Sequence, residues 1–420
     1  MTRTSPGTGT TVLAQPLALP CGLTLPNRIM KAAMGEGLAN PSTSDVTPAL
    51  IRLYERWADG GAGTLITGVI NIHRGAGDAS MVTLDEQTDA QALAEWASAV
   101  HRRNVRLIGQ LVHQGRQTTV LVARHPLAPS ALPSVRHSRI FGSSRALTGP
   151  QITDLIDRFA TAAVMLEQDG FDGVEIHAAH GSLIGQFLSP TTNLRTDQWG
   201  GSLENRSRFL VEIVRRIRAR VSPGFAVFVK INSSDFQPGG FDIEDSAHVV
   251  GLLDSEGIDL VEVSGGTYES DSGCFGVRPD EPGTSKDAYF AGFAPRLRQV
   301  TSTPLALTGG LRSRAVMEAL IGDGVVEAVG LARPLVEQPD APLGLLRGTI
   351  DQIAVTGPPE STTGANELLW YIAQFQRLAN GQDFDPDYSI RSLQQHLLVS
   401  FAQQALTNGR HTLSHLRQRT

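Results

Sequence analysis

The sequence predicts an α/β fold, a (β/α)8 TIM barrel with an N-terminal hairpin cap, and three observations predict it. Eight short apolar strand patterns alternate with amphipathic helical patterns. The 420 residues exceed one ordinary domain but suit one barrel with insertions. Small, polar or charged residues collect where the strand patterns end, and barrel chemistry sits at the strands' C-terminal face. A doubly wound sheet is the alternative that the same alternation allows.

Taken in order, residues 1–11 are small and polar and are expected to form a disordered tail. The stretch 17–25 alternates apolar and small residues around Pro20-Cys21-Gly22 and reads as the hairpin. Strands are expected over 28–33, 64–69, 106–111, 173–177, 226–231, 259–263, 304–308 and 327–331. Between them helical patterns span 47–59, 86–103, 153–169, 203–221, 243–255 and 314–321. The barrel is expected to occupy 12–340. From 341 to 420 the pattern changes to a helical extension with helices over 366–379 and 389–406, suited to docking on the barrel or to a homo-oligomer contact. No repeat of solenoid length is present.

Composition narrows the function classes. Apolar content of 41% and charged content of 19% describe a globular chain with an ample core. A net charge of −6 argues against general nucleic-acid binding. Two cysteines exclude a disulfide framework, a zinc ribbon and a four-cysteine iron–sulfur cluster. No apolar run reaches the roughly 20 residues of a membrane span, and the first residues lack a signal-peptide core. The expectation is a cytoplasmic protein without nucleic-acid or membrane partners.

The most informative stretch is 170–201, GFDGVEIHAAHGSLIGQFLSPTTNLRTDQWGG. Val174 and Ile176 mark a buried strand, and His177 and His180 follow at its end. Two imidazoles three residues apart can aim two N–H donors at one carbonyl or small anion. The plain alternative is one surface and one core histidine. A zinc site would need further ligands, and neither Cys21 nor Cys274 has partners at ligand spacing. Elsewhere, Thr308-Gly309-Gly310 and Ala332-Arg333 end the last two strands. There glycine N–H groups and a guanidinium can clamp a phosphate.

GFDGVEIHAAHG, the following QFLSPTTNLRTDQWGGSLENRSRF and the earlier NRIMKAAM together resemble the old yellow enzyme family of FMN-dependent ene-reductases. The resemblance runs from about Leu17 to Pro339. It implies FMN as cofactor, with NADPH or NADH as reductant, and an activated alkene as the small-molecule substrate. It also implies roles for particular residues. Ala32, Ala33 and Met34 would let the flat ring approach strand one, with Gly68 as a second close approach on strand two. Gln110 would match its donor and acceptor to the flavin pyrimidine edge. Lys230 would face the N1–O2 edge, where reduction places negative charge. Gly309, Gly310, Ala332 and Arg333 would hold the phosphate, and His177 and His180 would hydrogen-bond the substrate's carbonyl or nitro oxygen.

Several positions depart from the family pattern. Ala33 stands where a proline is usual, and Gly35 where a side chain usually tunes the flavin. Ser182 stands where relatives carry a proton-donating tyrosine, so water, a Ser182 relay or another tyrosine such as Tyr268 must supply the proton. Residues 112–149 form a long excursion with Arg116, Arg124, Arg136, Arg139, Arg145 and no acidic residue, suited to a lid that attracts anions. The expected reaction is ping-pong reduction of the C=C bond of α,β-unsaturated carbonyl or nitro compounds. Its rivals are a flavin desaturase, isomerase or demethylase, a metal-dependent hydrolase using His177, His180 and Glu175, and an FMN-binding protein without turnover.

Overall fold

Strand alternation builds the molecule. The computed structural model describes residues 11–78, 80–135, 140–269, 287–359 and 365–389. Eight parallel strands run β1 (Ile29–Lys31), β2 (Thr64–Asn71), β3 (Arg106–Val112), β4 (Gly173–Ala178), β5 (Ala226–Asn232), β6 (Leu260–Ser264), β7 (Leu305–Thr308) and β8 (Ala328–Leu331). Each pairs with its neighbours in sequence, and β1 pairs with both β2 and β8, which closes the barrel. The expected fold class is the observed one.

Because strand side chains alternate in direction, one set points inward. Met30, Ile66, Ile108, Phe228, Leu260, Ala306 and Ala328 form an apolar floor. The hairpin Leu17–Ala18 with Thr24–Leu25 adds Leu17, Leu19 and Leu25 to it from below. The other set, including Ile29, Leu65, Leu107, Val174, Val227, Val261 and Val329, packs outward on the helices.

These helices are α1 (Pro48–Asp59), α2 (Ala90–His101), α3 (Gly149–Gln168), α4 (Leu203–Arg218), α5 (Ile243–Ser255), α6 (Ala294–Arg298), α7 (Arg314–Gly322) and α8 (Ala341–Arg347). Most begin at a side-chain cap: Thr47, Asp89, Thr148, Ser202, Asp242 and Ser313 each accept a backbone N–H of the first turn. At α3, Thr148 and Gln151 form a reciprocal capping box, which starts that helix before the expected residue 153. β2 outlasts its expected end because a register shift between Ile66 and Val69 carries the strand on to Asn71.

A further helix, α9 (Ala365–Ala379), matches the expectation over 366–379 and packs on α1 through buried Phe375, whose ring meets Trp57 edge to face. The helix expected over 389–406, the tail 1–10, Arg136 and Arg139 lie outside the described residues. No helix among the described residues is long and apolar enough to cross a membrane.

Candidate active site

One inward step past the floor, five of the eight strands turn polar, with Gln110, Glu175, Lys230, Glu262 and Thr308, all buried. Lys230 Nζ donates to Glu262 Oε1 at 2.8 Å, Thr308 Oγ1 donates to the same oxygen, and Gln110 Nε2 donates to Glu175 Oε1 at 2.7 Å. Burial and the nearby charge of Glu262 push the Glu175 carboxyl well above the usual range. Burial works the same way on Glu262, but the charge of Lys230 and the hydrogen bonds with Glu175, Lys230 and Thr308 together hold that group down at about 2. Burial would also lower Lys230, but the two carboxyls more than offset it and raise the ammonium.

The next inward step brings His177, Asn232 and Ser264 to the strand ends. His180 follows in a left-handed backbone conformation, φ +56°, which a non-glycine residue adopts only when held there. Its holders are present. Its N–H donates to Asn232 Oδ1 at 3.1 Å, its carbonyl accepts from Gln117 Nε2 at 2.8 Å, and its Nε2 meets Ser264 Oγ at 2.8 Å. The two rings stand edge to face with centroids 5.1 Å apart.

Burial, with Lys230 nearby, drives both imidazoles well below their ordinary pKa, His180 to about 3. Each is neutral at pH 7 and keeps one N–H. His177 Nδ1 is buried with no partner among the described residues. Ser182 Oγ donates to the His177 carbonyl at 2.8 Å, at the first position before the helix Leu183–Leu188.

Above the polar tier lies a cavity of about 570 Å³, running from His180 and Lys230 past Ala33, Met34 and Gly35 to Gly309, Gly310, Ala332 and Arg333. A second, of about 150 Å³, is lined by Gln110, His177, His180, Ser182, Lys230 and Tyr268 and shares the strand-one residues. Two expected residues lie outside both. Ala32 is buried and donates to Leu331 O at 2.9 Å. Gly68 is crowded by the chain itself: a Cβ there would lie 1.9 Å from Glu36 Oε2 and 2.2 Å from Met34 O.

Sequence reasoning missed Lys31, Glu36 and Tyr54. Lys31 Nζ, fully buried, donates to Ile66 O at 2.8 Å and to Glu36 Oε1 at 3.3 Å, and Tyr54 Oη donates to Glu36 Oε1 at 2.6 Å. Glu36 is thereby pinned beneath the strand-one loop that walls both cavities. The signal was a lysine inside an apolar strand, the same signal that marked Lys230. Of the arginines in the long excursion, Arg116 is buried and paired with Glu269 at 3.0 Å, whereas Arg124 and Arg145 are exposed.

The cavity fits FMN. Gly309 and Gly310 have φ of +129° and +75°, and a Cβ on Gly310 would lie 2.6 Å from the Tyr289 ring, so only glycine leaves the phosphate end open. Arg333 stands beside them, with Lys230, Gln110 and the unpartnered His177 Nδ1 at the other end. Among the described residues no three His, Cys, Asp or Glu side chains gather to hold a metal, so His177, His180 and Glu175 do not form the ligand set of a hydrolase.

Barrel, glycine cradle, buried cation and paired imidazoles define a flavin-dependent oxidoreductase. The chain belongs to the NADH:flavin oxidoreductase / NADH oxidase family, the old yellow enzyme family, whose model matches residues 13–351. It is 34% identical over 408 residues to the NADH-dependent flavin oxidoreductase iccE of Talaromyces variabilis, covering 91% of this chain and 97% of that one. Among solved structures it resembles an old yellow enzyme homologue from Zymomonas mobilis, with a TM-score of 0.70 and 26% identity over 82% of this chain and 95% of that one. It also resembles morphinone reductase, with a TM-score of 0.69 and 28% identity over 85% and 94%. The cofactor is FMN and the reductant NAD(P)H.

Proposed function

We propose that the protein reduces the C=C bond of α,β-unsaturated carbonyl or nitro compounds, with NADH or NADPH as electron source, in a ping-pong cycle. The observation that carries this reading is the pair of buried neutral imidazoles, His177 and His180, beside Lys230 and Gln110. FMN, when bound, would supply the two-electron chemistry that couples oxidation of NAD(P)H to reduction of the alkene.

The chain's residues do the rest. Gln110 and Lys230 would hold the pyrimidine edge, Ala33 and Met34 would flank the ring, and Gly309, Gly310, Ala332 and Arg333 would hold the phosphate. The N–H groups of His177 and His180 hydrogen-bond the substrate's carbonyl or nitro oxygen. They strengthen as that oxygen gains charge, each contributing roughly 3 kcal/mol on the scale of oxyanion donors. Burial keeps both rings neutral, so they donate without carrying a charge of their own. The similarity to a relative named NADH-dependent flavin oxidoreductase supports NADH as the reductant.

An anaerobic visible spectrum tests the reading. The flavin band is expected to bleach with NADH and to return on addition of 2-cyclohexenone. A band that bleaches and stays bleached would turn the assignment to a desaturase, isomerase or demethylase on the same scaffold.

A further inference from the structure

We propose that Tyr268 is the catalytic acid of this site, giving its phenolic proton to the α-carbon of the alkene as hydride reaches the β-carbon. The proposal rests on the alkene-reduction reading above and names the residue that completes it.

The reaction needs an acid. Hydride delivery alone leaves an enolate or nitronate, and His177 and His180 stabilise its oxygen without protonating its carbon. Both hydroxyls beside the pair are already committed: Ser182 Oγ donates to the His177 carbonyl at 2.8 Å, and Ser264 Oγ meets His180 Nε2 at 2.8 Å. An aliphatic hydroxyl is in any case a far weaker acid than a phenol, whose pKa is about 10.

The chain has five tyrosines, and their positions decide between them. Tyr54 is buried beneath strand one and donates to Glu36. Tyr289 and Tyr371 line only the larger cavity, with Tyr289 packed against Gly309 and Gly310 at the phosphate end. Tyr388 has the Arg377 guanidinium over its ring and lines neither cavity. Tyr268 alone lines both cavities, alongside His177 and His180 in the smaller one.

The backbone around Tyr268 is fixed on both sides. Thr267 bridges to His180, the residue in the left-handed conformation, and its Oγ1 accepts from Gln237 Nε2 at 3.0 Å. Gly266 O accepts from Asn232 Nδ2 at 3.0 Å, and the same Asn232 accepts the His180 N–H. On the other side, Glu269 pairs with the buried Arg116, whose Nη2 donates to Pro133 O at 2.8 Å. One set of contacts therefore positions both the oxygen-binding imidazole and the phenol, which keeps donor and acid in register.

The step balances. The alkene gains two electrons and a hydrogen as hydride at the β-carbon, and a proton at the α-carbon from Tyr268 Oη. NAD(P)H is the species oxidised. The phenolate recovers its proton from water at the cavity mouth.

The test is anaerobic stopped-flow on the FMN-loaded wild type and the Tyr268→Phe variant, following reduction by NADH and reoxidation by 2-cyclohexenone separately. Reduction by NADH and the spectral dissociation constant for the enone are expected to stay within about twofold. Reoxidation is expected to slow by about 100-fold or more, the usual range for loss of a general acid. A normal reductive half-reaction also establishes that the variant is folded and loaded. If Tyr268→Phe reoxidises within a few-fold of wild type, the assignment fails while the alkene-reduction reading stands. If the enone does not reoxidise the NADH-reduced wild type, the reading fails and the assignment with it.

Discussion

Lys230 Nζ and Glu262 Oε1 lie 2.8 Å apart inside the barrel, both side chains almost wholly buried. Removing the cation alone leaves a buried carboxylate without its partner, which costs about 3–5 kcal/mol. Lys230→Met should therefore destabilise the apoprotein by that amount. Adding Glu262→Gln should return more than half of the loss. Urea denaturation of the two single variants and the double variant reads the coupling, and strictly additive effects would refute it.

The strand-one lysine makes a parallel case. Lys31 Nζ sits 4.6 Å from the Trp57 ring centroid and hydrogen-bonds Glu36, Tyr54 and Ile66. Lys31→Met removes the cation paired with buried Glu36, leaving it the Tyr54 hydroxyl, and should cost about 3 kcal/mol or more. It should also weaken FMN binding, because Glu36 supports the loop carrying Met34. Arginine should not restore either property, since its forked guanidinium does not fit a site built around one ammonium. Thermal melts and flavin titration of the apoprotein check both outcomes.

At the phosphate end, Gly310→Ala introduces a methyl 2.6 Å from the Tyr289 ring at φ +75°. FMN affinity should fall at least tenfold, about 1.4 kcal/mol. Arg333→Met should lower it similarly through loss of charge and hydrogen bonds. Fluorescence titration of apoprotein with FMN gives both numbers, and unchanged dissociation constants would remove these residues from the phosphate site.

His180 sets a pH dependence whose sign is fixed. Its folded pKa, about 3, lies below the unfolded value of about 6.5, so the unfolded chain binds the extra proton between them. The stability linked to this imidazole is complete above about pH 6.5 and is lost as pH falls toward 3, at up to about 1.4 kcal/mol per pH unit. His180→Asn keeps a residue type that tolerates the left-handed conformation and removes the titration. Its stability should fall less steeply than wild type from pH 6 to pH 4, and parallel profiles would count against the buried neutral imidazole.

The barrel was readable because its two signals, apolar strand runs and capped amphipathic helices, are local. The lining of the cavities was readable where one residue's chemistry was odd for its setting, as with Lys230 in a strand and His177 at a strand end. What stayed hidden depends on closure. Glu262 reads as one acidic residue in VEVS until β5 and β6 bring it to Lys230, and nothing in the sequence shows that Glu36 folds against Gly68. Ser182 showed in the sequence as a missing phenol, but only the structure gives its bond to the His177 carbonyl.

Helix α9 lies outside the eightfold alternation yet walls the larger cavity with Leu368, Tyr371 and Phe375, while its Glu367 reaches Arg333 at 3.4 Å. Ile372 packs against Gly37, just past the strand-one loop, and Arg52 Nε of α1 donates to Ala379 O at 2.8 Å. Docking of this helix and retention of FMN are therefore one linked equilibrium, in which each stabilises the other. Resistance of α9 to proteolysis should rise and fall with the flavin content of a preparation, making loss of colour and loss of this helix two views of a single event.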